Sequence, residues 1–141
     1  MDLLFVGVIV VGIVALLFAV YLSVMVVKAE KGNPRMQEIA GFIHNGAMAF
    51  LESEYKYLSI FAALVTVTLA FAINIETAVA FVLGAMLSML AGFFGMKIAT
   101  QANVKTAQAA RTSQKKALTI AFSGGAVMGM SVVGLGIVGL G

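Results

Sequence analysis

The strongest constraint on this chain is where its charges are missing. Four stretches carry no charged side chain: Leu3 to Val27, Tyr57 to Ile75, Thr77 to Met96 and Ala117 to Gly141. A helix rises about 1.5 Å per residue and a bilayer's hydrocarbon core is about 30 Å thick, so about 20 apolar residues cross it. The four stretches hold 19 to 25 residues each. Unbroken apolar runs of this length do not suit a β-barrel, whose strands alternate apolar and polar residues. The expected fold is an all-α membrane protein with four transmembrane helices. A single membrane segment covers 1–141, with spans at about 3–27, 57–75, 77–96 and 117–141. The segments 28–56 and 97–116 connect them.

Composition agrees. Only 11% of the residues are charged and 62% are hydrophobic, against roughly 25% charged in a soluble domain. The first stretch is expected to be a retained helix rather than a signal peptide: it follows Met1-Asp2, which is acidic, and outruns the usual apolar core of such peptides. Cysteine is absent and His44 is the single histidine, which excludes disulfides, thiolate metal sites and multi-histidine clusters.

The charges also orient the chain. Lys28, Lys31, Arg35 and Lys56 lie between the first two spans, and Lys97, Lys105, Arg111, Lys115 and Lys116 lie between the last two. These are all nine basic residues. The other side shows only Asp2 and Glu76. The positive-inside rule therefore puts both long connections in the cytoplasm and both termini outside. The net charge of +3 follows from topology, and no nucleic-acid partner is implied. The expected location is the cell (plasma) membrane, crossed several times.

Asn33 reads as an N-cap with Pro34 as the first helical residue. No proline follows up to Ile73, so the second helix is expected to run on into the cytoplasm. Ile39, Phe42, Ile43, Ala47, Phe50, Leu51, Leu58 and Phe61 form its apolar stripe, with Glu38, Asn45, Glu52 and Lys56 opposite. Glu52 and Lys56 suit an i,i+4 ion pair. The third helix is expected to continue past Met96, and Thr112-Ser113 offers the turn and N-cap before the fourth. The basic segment 97–116 is explained by topology and anionic lipid head groups. Phosphate binding by Lys105 or Arg111 is the alternative, without a glycine-rich cradle to support it.

Seven glycines fall in Gly124–Gly141, among them the Gly125 and Gly129 pair. Such small-xxx-small spacing suits close helix packing, with a hinge or gate as the alternative. The fourth span ends without a polar anchor, so the chain is expected to be a piece of something longer.

Catalytic chemistry is not visible. A small ion carrier needs an ionisable group at membrane depth. Asp2, Glu30, Glu38, Glu52, Glu54 and Glu76 all sit at window edges or in the connections, which tells against a proteolipid or a small multidrug exporter. Glu52 and Glu54 face different ways on a helix. His44 reads as a helix-face residue near the cytoplasmic rim, and methionines such as Met86, Met89 and Met96 read as packing. No catalytic, cofactor-binding or metal residue is assigned.

Three stretches carry a family resemblance. The first is Gly32-Asn-Pro-Arg-Met-Gln-Glu-Ile-Ala with Gly46-Ala-Met-Ala-Phe-Leu and Glu54-Tyr-Lys. The second is Gly84-Ala-Met-Leu-Ser-Met-Leu-Ala-Gly-Phe-Phe-Gly-Met-Lys-Ile-Ala-Thr, continuing into Ala102-Asn-Val-Lys-Thr-Ala and Ala109-Ala-Arg. The third is Ala117-Leu and Ala121-Phe-Ser-Gly-Gly-Ala-Val-Met-Gly, with Val132-Val-Gly-Leu-Gly. Together they closely resemble the N-terminal part of the membrane-bound, ion-pumping inorganic pyrophosphatases, over nearly the whole chain. Two positions depart from the pattern: Lys105 stands where Arg is commoner, and Thr112-Ser113 replaces a stretch that often contains Gly.

The resemblance implies a much larger parent, normally a homodimer. Such a parent hydrolyses pyrophosphate with Mg2+, in some members with K+, and moves H+ or Na+ outward. These helices would belong to its outer ring. The family's Asp-rich substrate motifs do not occur here, so no catalytic residue is carried over and the segment alone is expected to be inactive. Its partners would be the bilayer and the remaining helices of the pump. A standalone scaffold or assembly protein, derived from such a pump by truncation, is the alternative.

Overall fold

The computed structural model describes residues 3–140. Asp2, read as an outward charge, and Gly141, the last residue of the fourth window, lie outside the described residues. Four helices follow in order: α1 (Leu3–Lys28), α2 (Pro34–Ala72), α3 (Ile75–Ala110) and α4 (Gln114–Leu140). Each is long and apolar enough to cross a membrane. At about 1.5 Å per residue, α2 and α3 are over 50 Å long and α1 and α4 about 40 Å.

The connections are short and capped. Gly32 takes φ +82°, a left-handed conformation that costs glycine nothing and other residues more than a kcal/mol or so. It turns the chain after α1. Asn33 then accepts the Met36 N–H at 2.9 Å, and Pro34 occupies the first turn of α2. The α2–α3 turn is only Ile73-Asn74, with the Asn74 side chain accepting the Thr77 N–H at 2.8 Å. This turn comes earlier than the charge gap suggests: the 57–75 window runs over it, and Glu76 already lies in the first turn of α3. At the third turn Ser113 Oγ accepts the Lys116 N–H at 3.3 Å.

The helices lie in a row rather than a closed bundle. α3 packs against α4 and α2, α4 packs against α1, and α1 touches α3 more lightly; α2 meets α3 alone. The buried surfaces are made of small residues. α1 contributes Ala15, Ala19, Leu22 and Val26, and α4 contributes Ala117, Ser123, Gly124, Val127, Ser131 and Gly134. Large apolar side chains point outward instead, with Phe71 90% and Phe122 75% exposed. A water-soluble protein does not leave so much contiguous apolar surface bare. Hydrocarbon is the matching solvent.

Two packing expectations change. The expected α2 stripe divides: Ile39, Phe42, Ile43, Phe50, Leu58 and Phe61 are exposed, while its Ala47 and Leu51 lie on the side that α3 covers, with Ala40, His44 and Tyr55. With α3 as its one neighbour, α2 has a single narrow face covered and the rest left open. On α4 the glycines in close approach are Gly124, Gly134 and Gly139; Gly125 and Gly129 face open space. One residue is a rotation of about 100° on a helix, which separates the Gly124 face from the Gly125 face. The expected Glu52–Lys56 pair is also absent: the ion pair found among the described residues is Arg35–Glu38 at 2.8 Å. Exposed pairs are worth too little to hold two long side chains together reliably.

A Cβ on Gly95 would lie 2.5 Å from Met128 Cγ and 3.3 Å from Met128 Cα. Gly95→Ala is therefore expected to destabilise the α3–α4 pair by about 1–3 kcal/mol. Gly125→Ala, with nothing within 4 Å, should be close to neutral. Denaturant titration of both variants in detergent micelles, read by circular dichroism, tests the contrast; equal stability would refute it.

Candidate functional site

The polar groups that reach between helices gather where the C-terminal end of α1 meets α2 and α3. Lys105 is at the centre. It sits on α3, is 2% exposed, and donates from Nζ to the carbonyls of Val26 at 2.7 Å and Val27 at 2.8 Å. Those carbonyls belong to the last turn of α1, where the helix leaves acceptors without intrahelical donors and the macrodipole is negative. One buried ammonium thus supplies both hydrogen bonds and countercharge. Burial, and then the nearby Lys31 charge, push the Lys105 pKa down from its ordinary value. Burial sets Lys105 apart from the exposed cations of the basic segment. Lys105 is not a solvated headgroup contact; its first task is to cap α1.

His44, one turn below on α2, has its Nδ1 3.1 Å from Thr100 Oγ1 on α3. The Thr100 hydroxyl donates its single proton to the Lys97 carbonyl, so its lone pair is what faces the ring. With that arrangement an Nδ1–H tautomer of His44 is the donor across the helices. A partner 56 residues away was not visible from local spacing. Tyr55 ties the same helices further down by donating to the Met89 carbonyl.

Two cavities flank Lys105. A groove of about 290 Å³ lies toward α2, lined by Lys31, Gln37, His44, Thr100 and Gln101 among others. A cavity of about 770 Å³ lies toward α4, with Glu30, Gln108, Ser113, Lys115 and Lys116 on its walls. Arg111, Lys115 and Lys116 are exposed, as headgroup-facing cations would be. Lys97 lies with Nζ 5.8 Å from the Phe93 ring centroid.

The other singled-out residues do not converge. Glu52 and Glu54 are exposed and apart from this cluster, and Met86 is half exposed. Among the described residues no three His, Cys, Asp or Glu side chains come together as a metal site. The arrangement can hold helices in register and attract anions.

Comparison with known proteins adds a family likeness. A family model described as "Inorganic H+ pyrophosphatase" matches residues 13–141. A Clostridium tetani protein, provisionally named a K(+)-stimulated pyrophosphate-energized sodium pump, is 62% identical over 119 residues, covering 84% of this chain and 18% of its own length. The K(+)-insensitive pyrophosphate-energized proton pump 2 of Moorella thermoacetica is 47% identical over 121 residues, with 85% and 18% covered. The K(+)-stimulated pyrophosphate-energized sodium pump of Thermotoga maritima is 45% identical over 121 residues, with 84% and 17% covered. The chain spans less than a fifth of the length of each of these relatives.

Removing the Lys105 ammonium leaves the Val27 carbonyl without its donor, the Val26 carbonyl with the Ala29 N–H alone, and α1 without this tie to α3. Lys105→Met is expected to cost about 1–3 kcal/mol and to speed amide exchange in the last turn of α1. Lys105→Arg, which keeps charge and donors, should retain most of that protection. Hydrogen-exchange mass spectrometry of the two variants decides it, and equal protection in both would remove the capping role.

Proposed function

The chain belongs to the inorganic H+ pyrophosphatase family, and from that premise we propose that it forms the N-terminal, outer-ring helices of a pyrophosphate-energised H+ or Na+ pump of the cell membrane. The observation that carries this reading is identity of up to 62% that covers most of the chain but only 18% of the relative. In the parent, pyrophosphate hydrolysis is coupled to outward ion movement, and the working unit is a homodimer. This segment supplies scaffold, not chemistry.

Charge distribution supports an orientation with both termini outside and the α1–α2 and α3–α4 ends in the cytoplasm. Seven of the nine basic residues fall at those two connections or on the helix ends beside them, with Lys56 and Lys97 further along α2 and α3, the bias on which the positive-inside rule rests. The packing then implies uneven helix depths. Lys105, eight residues beyond Lys97 on α3, is about 12 Å further along the axis, yet it caps the end of α1. So α1 extends about that far past the level of Lys97, and α2 and α3 stand well above the hydrocarbon.

Mg2+ belongs to the proposed parent reaction, where it would neutralise pyrophosphate charge and polarise its oxygens. The described residues here do not fit such a site: no carboxylate cluster forms, and Glu38 is engaged by Arg35. No step is therefore derived through the ion on this segment. A standalone scaffold derived from such a pump is the second reading, favoured by the self-contained caps at all three turns.

Two measurements test the proposal. The natural absence of cysteine permits single-cysteine labelling in sealed vesicles. Lys31→Cys and Lys116→Cys should react only from the cytoplasmic side and Glu76→Cys only from outside; the reverse pattern would overturn the orientation. Purified alone, the chain should release no phosphate from pyrophosphate with Mg2+, whereas a pump of this family lacking its own first four helices should recover hydrolysis on co-expression with it. Turnover by the segment alone, or failure to complement while properly inserted, would count against the pump reading.

A further inference from the structure

Lys105 presents a charge problem that its hydrogen bonds do not fully solve. An ammonium has three protons, and two are accounted for by Val26 and Val27. The side chain is almost fully buried, and no carboxylate pairs with it among the described residues. The half-charge at the end of α1 offsets only part of a full positive charge. A second cation, Lys31, stands close enough to lower its proton affinity. Two cations held together at the wall of a groove, with no acid opposite, repel each other until an anion enters.

The walls of the two cavities differ in that respect. The cavity toward α4 already contains a carboxylate, Glu30. The groove toward α2 has none: its polar lining is Lys31, Gln37, His44, Thr100, Gln101 and Lys105. Gln37 is partly engaged, its Nε2 donating to the Gly32 carbonyl at 2.9 Å, which also steadies the turn that carries Lys31. Positive charge and amide donors from three elements thus converge on one small volume.

We propose that this groove between the α1–α2 turn, α2 and α3 binds a phosphate-bearing anion, held by Lys31 and the remaining donor of Lys105. Oxyanions take charge-assisted hydrogen bonds from lysine ammonium groups at such sites. The groove lies between the levels of Lys97 and Lys105 on α3, at the edge of the headgroup layer under the orientation above. A lipid headgroup and a free phosphate both reach that level and share the chemistry. Neither the site nor its ligand depends on the pump reading, because only the geometry of this chain enters.

Purified chain, labelled at lysine and glutamine side chains for NMR, separates the sources in two arms. One arm titrates inorganic phosphate into the chain in uncharged detergent. The other compares nanodiscs of phosphatidylcholine with nanodiscs containing phosphatidylglycerol. Either arm is expected to move the Lys105 ammonium and Gln101 amide signals, and the arm that does so names the source. Lys31→Gln, an exposed change that leaves the α1 cap intact, should weaken the response about tenfold, the loss of roughly one charge-assisted contact. Lys115→Gln, on the other cavity, should leave it unchanged. The proposal is overturned if neither arm moves those signals, if the response survives Lys31→Gln, or if Lys115→Gln weakens it equally, which would indicate diffuse attraction to the basic end.

Discussion

Close approach of helix backbones is the constraint on which the rest of this structure depends. In hydrocarbon, burying a leucine gains little, so adhesion must come from dense contact and from hydrogen bonds between helices. α1, α3 and α4 meet this requirement with Ala, Gly and Ser on their shared faces. Gly134 comes so near α1 that a Cβ there would lie 3.1 Å from the Gly12 carbonyl oxygen. Large residues are left to the outside, where lipid or the rest of a larger assembly solvates them.

Against that background the few interhelical polar contacts carry unusual weight. Several hydroxyls are satisfied within their own helix, as Ser23, Thr66 and Ser123 are by the carbonyl four residues earlier. Lys105, His44 with Thr100, and Tyr55 instead bridge helices. They fix how far each helix is slid along its neighbour, which small-residue packing alone leaves loosely defined. The Lys105 cap sets the level of α1, and the two α2–α3 contacts set the level of α2, the helix with a single neighbour.

Much of this was legible in the sequence because it depends on local chemistry. Charge-free runs identify spanning helices, since an unpaired charge in hydrocarbon is costly. Asn33-Pro34 and Ser113 are readable caps, because their signals lie within one turn. The turn at Asn74 carried the same kind of signal, with Glu76 in the following first turn, but a reading by charge alone passes over an uncharged cap. The facing of α2 was only partly legible for a different reason. An apolar stripe does not say how many neighbours a helix will have, and with α3 alone against it Leu51 is covered while Phe42 and Phe50 stay exposed. Gly125 and Gly129 matched a packing motif, while neighbouring Gly124 makes the contact.

By itself, then, the sequence determined the number of spans, the character of their ends and the family to which they belong. Those follow from the cost of charge in hydrocarbon and from residues adjacent along the chain. The tertiary structure alone decided which helices touch, which glycines are consumed in touching, and what Lys105 is for. That lysine meets its carbonyl partners 78 and 79 residues away, a separation over which spacing carries no information. Only the folded row of helices turns a lysine in a basic segment into a buried cap with a proton to spare.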